Sequence, residues 1–188
     1  MVCVILADGF EEMEAVAPID VLRRAGAEVR TVSIMGSRQV TGSHGIPVEA
    51  DCLLADVAET AFEMVVLPGG MGCLANMQQS RPLAEFLRHQ DGQGAILAAI
   101  CAAPTYLSRL GLLRGAHAVC YPGMESDLCD GTFCEDESVV RDGRVITGQA
   151  AGAATEFALK LCEELFGWDA SERVRRSICF TSHVKGLD

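Results

Sequence analysis

Apolar residues fall into short unbroken runs separated by longer stretches of mixed polarity, and the two kinds alternate from end to end of the chain. Unbroken apolar runs of this length suit strands buried on both faces, and the mixed stretches carry the 3.6-residue period of helices. The pattern predicts strands over 2–7, 28–34, 64–67, 95–100 and 144–147. Helices are predicted from near Glu11, Pro82, Ala102 and Ala151, with a last one over 170–178 packed on the outside. In 38–50, Gly42 and Gly45 flank Ser43 and His44 between β-like runs, which reads as a hairpin appended to the sheet. Alternating strands and helices imply βαβ units, hence an α/β fold with a mostly parallel sheet.

Composition narrows the picture. The 188 residues, 49% of them apolar and without linkers or repeats, are expected to form a single domain over 1–188. A net charge of −11 argues against binding nucleic acid or anionic membranes. The one basic run, Arg173, Arg175 and Arg176 beside Glu172, reads as a solvated helix face. The nine scattered cysteines are odd in number and include no Cys-x-x-Cys pair. Cys129 and Cys134 have no histidine partners nearby, so no metal site is expected and the thiols are read as reduced. The apolar run at the N-terminus is too short for a signal or a membrane span, so the expected location is cytoplasmic.

Open parallel sheets place ligands at the carboxyl ends of their strands. Cys101 follows such a strand and precedes a helix-like run, with Ala99 and Ala103 as the small residues that a nucleophile elbow needs on either side. The helix start beyond it offers N–H groups that favour a thiolate. On the first helix, Ala17, Pro18, Val21, Leu22 and Ala25 form an apolar arc that contains Glu14, whereas Glu12, Asp20, Arg23 and Arg24 gather opposite. Glu11 and Glu12 read as ordinary first-turn acids. Glu14 does not, because a carboxylate on an apolar face is costly unless partnered or protonated. A neutral Glu14 can donate a hydrogen bond to the Cys101 thiolate, and Pro18 is expected to distort the helix beside it. After the third main strand, Pro68-Gly69-Gly70-Met71-Gly72 lets backbone approach a bound group. Gly70 and Ala102 are the expected oxyanion donors.

The segments VILADGFEEMEAVAPIDVLRRAG (4–26), VVLPGGMG (65–72), AAICAAPTYL (98–107) and TEFALKLCEEL (155–165) lie in register with the ThiJ/PfpI superfamily. The chain resembles the branch that contains the Parkinson-disease-associated deglycase and its bacterial relatives. That resemblance implies a flavodoxin-like three-layer sandwich and a homodimer, with Cys101 as nucleophile, Glu14 as its partner and Gly70 plus Ala102 as oxyanion donors. It also implies cofactor-independent conversion of methylglyoxal or glyoxal, or of early glycated amines, to hydroxy acids. Oxidation sensing or chaperone action through the same cysteine is the alternative it offers. A peptidase is disfavoured because Ala102 stands where peptidase members have histidine, and no thiazole or phosphate site supports a role in thiamine synthesis. Several members carry histidine before a proline near the cysteine, where this chain has Tyr121-Pro122. Tyr121 is then expected to orient a substrate oxygen or the thiolate, and Gly69 and His44 to line the substrate site.

Overall fold

The structure, a computed structural model, describes residues 1–181. Strand β1 (Val2–Leu6) leads through α1 (Glu12–Arg24) to β2 (Val29–Ser33). A hairpin of β3 (Gln39–Thr41) and β4 (Pro47–Glu49) precedes the two-residue β5 (Cys52–Leu53). Then come β6 (Met64–Leu67), α2 (Met71–Gln79), α3 (Arg81–Gly92), β7 (Ile96–Ile100) and α4 (Ala103–Arg109). The rest adds β8 (His117–Ala118), β9 (Thr132–Phe133), β10 (Val139–Asp142), β11 (Val145–Gly148), α5 (Ala154–Phe166) and α6 (Trp168–Ser177).

Seven strands form the main sheet in the order β10-β11-β7-β6-β1-β2-β5, parallel throughout except for the β10–β11 pair at one edge. The chain steps one way from β1 to β2 and the other way from β6 to β7. Right-handed crossovers therefore send α1 to one face and α2 and α3 to the other. Helix α5 packs on α1, and α6 packs on α5. Strands β1 and β6 are buried along their whole length, as their unbroken apolar sequences require. Each fully buried large side chain of the core, such as Phe10 or Phe157, contributes roughly 1.5–3 kcal/mol. The direction reverses between β1 and β6, and the crevice at their carboxyl ends is where such sheets bind ligands.

Several expectations need adjusting. The 38–50 segment does form a hairpin, but as a separate two-stranded sheet fastened to the β1–α1 loop by Gly9 N–H on Thr41 O and Ser43 N–H on Phe10 O, both 2.8 Å. Helix α2 was not anticipated, because the glycines around Met71 read as loop. Helix α4 stops at Arg109, short of the apolar run that continues to Leu113. Helix α1 runs unbroken through Pro18, its apolar side held against α5. Arg175 and Arg176 both pair with Glu172, so the basic run is partly compensated within its own helix. Among the described residues no helix is long and apolar enough to cross a membrane.

Candidate active site

The chain turns from β7 into α4 at Cys101, whose φ of +66° is left-handed for a residue with a Cβ. Such a backbone costs roughly 1–3 kcal/mol and persists only where its surroundings hold it. Its N–H donates to Gly148 O at 2.9 Å, and its carbonyl accepts the Tyr121 N–H at 2.7 Å. Ala99 and Ala103 beside the turn are buried, and the cysteine itself is 8% exposed.

Glu14, in the first turn of α1, is 0% exposed. Its Oε2 accepts the Gly69 N–H at 2.8 Å, and its Oε1 has no hydrogen-bond partner. Gly69 lies between the carboxyl and the cysteine: a Cβ there would sit 2.6 Å from Cys101 Cβ and 2.7 Å from Glu14 Oε2. Any side chain at 69 would force the two apart. Gly70 takes φ +95°, a backbone that suits glycine, and a Cβ on it would collide with Gly9 O. Its N–H and that of Ala102 favour a negative charge on the Cys101 sulfur.

Burial pushes the Glu14 carboxyl up to about 7, against the pull of the Cys101 thiol and the Gly69 N–H. Burial also pushes the Cys101 thiol up to about 12, with the Glu14 charge adding to the rise and the Gly70 and Ala102 N–H groups opposing it. The two groups act as one pair. It takes its first negative charge near neutrality and resists a second, because a second anion in the same dry pocket meets both burial and repulsion. With one charge shared between them, the proton lies either on Glu14, beside a Cys101 thiolate, or on the sulfur, beside a Glu14 carboxylate. Moving the proton from sulfur to Glu14 creates that thiolate without changing the charge of the pair. Two N–H donors await it at sulfur, and one holds the charge on the carboxylate. The unpartnered Oε1 leaves room for that transfer.

Glu12 also departs from expectation. Placed on the polar side of α1 by its spacing, it is instead 8% exposed, because the hairpin folds over the start of the helix. Its carboxylate accepts His44 N–H at 2.7 Å, His44 Nδ1 at 2.8 Å and Ser43 Oγ at 3.1 Å. Burial would raise its pKa, but the His44 ring and N–H and the Ser43 hydroxyl outweigh it and bring the value down to about 2. The same bond raises His44 above its ordinary value. His44 thus stands beside the first turn of α1, held by Glu12. Glu12 and Ser43 were missed as site-shaping residues, since their partnership depends on how the hairpin folds back.

Tyr121 meets Cys101 through its main chain, and the residue is 49% exposed. His117 is occupied by Asp142, 3.0 Å from its Nδ1. Glu11, Glu12 and His44 bring three potential metal-ligating atoms within 4.8 Å of one another. Glu12 and His44 are bonded to each other, however, and Glu11 caps its own helix by accepting the Glu14 N–H. All nine cysteines are free. A cavity of ≈ 440 Å³ near the carboxyl ends of β2 and β5 is lined by Ile34, Leu54 and Phe86 among others and includes neither Cys101 nor Glu14. The chemistry sits outside it, under Gly69 and Gly70.

Known proteins resemble the chain in sequence and in fold. Residues 1–164 match the DJ-1/PfpI family. Protein dj-1beta of Drosophila melanogaster is 42% identical over 176 residues, covering 93% of this chain and 94% of the relative. A glutathione-independent glyoxalase of Caenorhabditis elegans, DJR-1.2, is 31% identical, with 90% of each chain covered. The crystal structure of Drosophila melanogaster DJ-1beta superposes with a TM-score of 0.92 at 40% identity, covering 96% of this chain and 97% of that one. Oxidized DJ-1 of Toxoplasma gondii gives 0.91 at 35% identity, with 96% and 98% covered. A sheet of this order, a left-handed cysteine at its carboxyl edge and a buried glutamate behind it thus accompany similarity along nearly the whole chain, which belongs to the DJ-1/PfpI family.

Proposed function

We propose that this protein is a cofactor-independent enzyme that converts 2-oxoaldehydes such as methylglyoxal or glyoxal, or their early adducts with amines, to 2-hydroxy acids. The observation that carries this reading is the buried Glu14 carboxyl, one oxygen unpartnered, across Gly69 from a strained cysteine. Cys101 gives its proton to Glu14, and the sulfur adds to the aldehyde carbon. The resulting hemithioacetal oxygen is stabilised by the Gly70 and Ala102 N–H groups. Glu14 then moves a proton from the aldehyde-derived carbon to its neighbour, so the first carbon is oxidised as the second is reduced. Water cleaves the thioester formed, releasing the hydroxy acid and the thiol. One water is consumed and the electrons stay within the substrate. From a glycated amine the sulfur displaces the amine at the hemiaminal carbon, the amine leaving with a proton, and the same hemithioacetal then goes on to the acid. In this reading Tyr121 orients a substrate oxygen, and Gly69 and His44 border the substrate.

The glyoxalase among the relatives supports the reaction class. A second reading is oxidation sensing through the same thiol, favoured by a relative whose structure was determined in oxidized form. Met13 and Val16 stand exposed on α1 and suit a homodimer contact, and a thiol-rich chain without disulfides suits the cytoplasm. The deciding test is loss of methylglyoxal with identification of lactate, by the purified protein and by Cys101→Ser. Lactate from the first alone is expected. Lactate from neither leaves only the sensing role.

A further inference from the structure

Cys101 is held through both its N–H and its carbonyl, and one side chain links the two partners that hold it. The Cys101 N–H donates to Gly148 O at 2.9 Å, and the Tyr121 N–H donates to Cys101 O at 2.7 Å. Between these partners, Thr147 Oγ1 accepts the Val119 N–H at 2.9 Å. Thr147 precedes Gly148 on β11, and Val119 leads through Cys120 to Tyr121. The connections close a ring: Cys101 to Gly148, along the chain to Thr147, across to Val119, along the chain to Tyr121, and back to Cys101. Every other link in it is backbone. Thr147 is 0% exposed, as is Val119, and Cys120 is 1% exposed.

We infer that Thr147 is a positioning residue for the nucleophile: its hydroxyl closes the ring that holds Cys101 in its left-handed backbone and lays the Tyr121 segment against it. The chain leaves β8 at Ala118, so the Val119 N–H is beyond that short strand. Without an acceptor at Thr147 it would be a buried donor with no partner, and the Cys120-Tyr121 segment would move to satisfy it. Loss of the Tyr121 bond would then free the Cys101 carbonyl, and a residue with a Cβ leaves the left-handed region when it is no longer over-determined. The sulfur would swing away from the Gly70 and Ala102 N–H groups.

The inference rests on Cys101 being the reactive group, and not on the identity of its substrate. It is therefore tested by alkylation of Cys101 with iodoacetamide, located by peptide mass spectrometry, across a range of pH. Thr147→Val keeps the shape and removes the acceptor; Thr147→Ser keeps the acceptor. Thr31→Val removes a buried sheet hydroxyl remote from the ring, one that bonds Asp51. Thr147→Val should slow alkylation about tenfold and shift its pH profile, the usual scale for stranding one buried donor. Thr147→Ser should restore both, and Thr31→Val should leave both unchanged even if it lowers the melting temperature. Unaltered alkylation in Thr147→Val, equal loss in Thr147→Ser, or an equal effect of Thr31→Val would overturn the inference. Should Thr147→Val fail to fold, hydrogen exchange of the unmodified protein decides: the Val119 and Tyr121 amides should be strongly and similarly protected, and rapid exchange at Tyr121 would refute the ring. None of these outcomes depends on methylglyoxal turnover, so failure here and failure of the proposed reaction are read separately.

Discussion

Glu12 and Glu14 share the first turn of one helix and are both buried, yet burial acts on them with opposite results. Glu12 is surrounded by a hydroxyl, an N–H and an imidazole, which together hold it ionised to about 2. Glu14 has one N–H and the Cys101 thiol, and burial pushes it to about 7. Depth alone therefore decides nothing about a carboxylate's charge; the number and charge of the donors that meet it do. One glutamate fastens a hairpin, and the other is left poised to exchange a proton.

The largest effect should come from removing the poised proton. Glu14→Gln keeps the shape but cannot shuttle, so 2-oxoaldehyde turnover should fall by about 10²–10⁴-fold. Alkylation of Cys101 in the unmodified protein should rise through about 7, as the pair takes its first charge. In Glu14→Gln that step should vanish, leaving the ionisation of the thiol alone. A retained step near 7, or unchanged turnover, would remove Glu14 from the mechanism.

Next in size is a stability effect whose sign follows from the raised value. A carboxyl at about 7 in the folded protein and about 4.5 when unfolded binds its proton more tightly when folded. The stability this contributes is complete below about 4.5 and is lost as pH rises through about 7. Glu14→Leu should therefore gain on the parent by on the order of 3 kcal/mol between pH 4 and pH 8, measured by urea unfolding. A pH-independent difference would contradict it.

Glu12 should behave the opposite way. Its lowered value stabilises the fold above about 4.5, and that contribution is lost as pH falls toward about 2. Glu12→Gln turns one acceptor into a donor facing donors. It should cost about 1 kcal/mol at pH 7, with the deficit shrinking in acid. An undiminished deficit at pH 2 would show that shape, and not charge, holds the hairpin.

The contrast also marks what a linear reading of the chain reaches. Glu14 was legible because its place follows from the turn of its own helix, among Pro18, Val21 and Leu22. Cys101 was legible from a strand end flanked by Ala99 and Ala103, and the parallel sheet from its apolar runs. Glu12 was misplaced because Ser43 and His44, which surround it, lie 31 and 32 residues further along. Helix α2 was hidden by Gly70 and Gly72, whose low helical propensity masks a segment stabilised by its contacts. Strands β5, β8 and β9 are two residues each, too short to show any period. How the Glu14–Cys101 pair shares its charge depends on burial and on the N–H groups that meet each atom, which only the folded backbone determines.

The backbone of Cys101 sets stability and activity against each other. Glycine would occupy φ +66° without strain, so the position preferred by the fold and the position required for a thiol ask for different residues. A search for more heat-resistant variants that ignored reactivity would tend to discard this cysteine, and the inactive protein it found would be a success by its own measure.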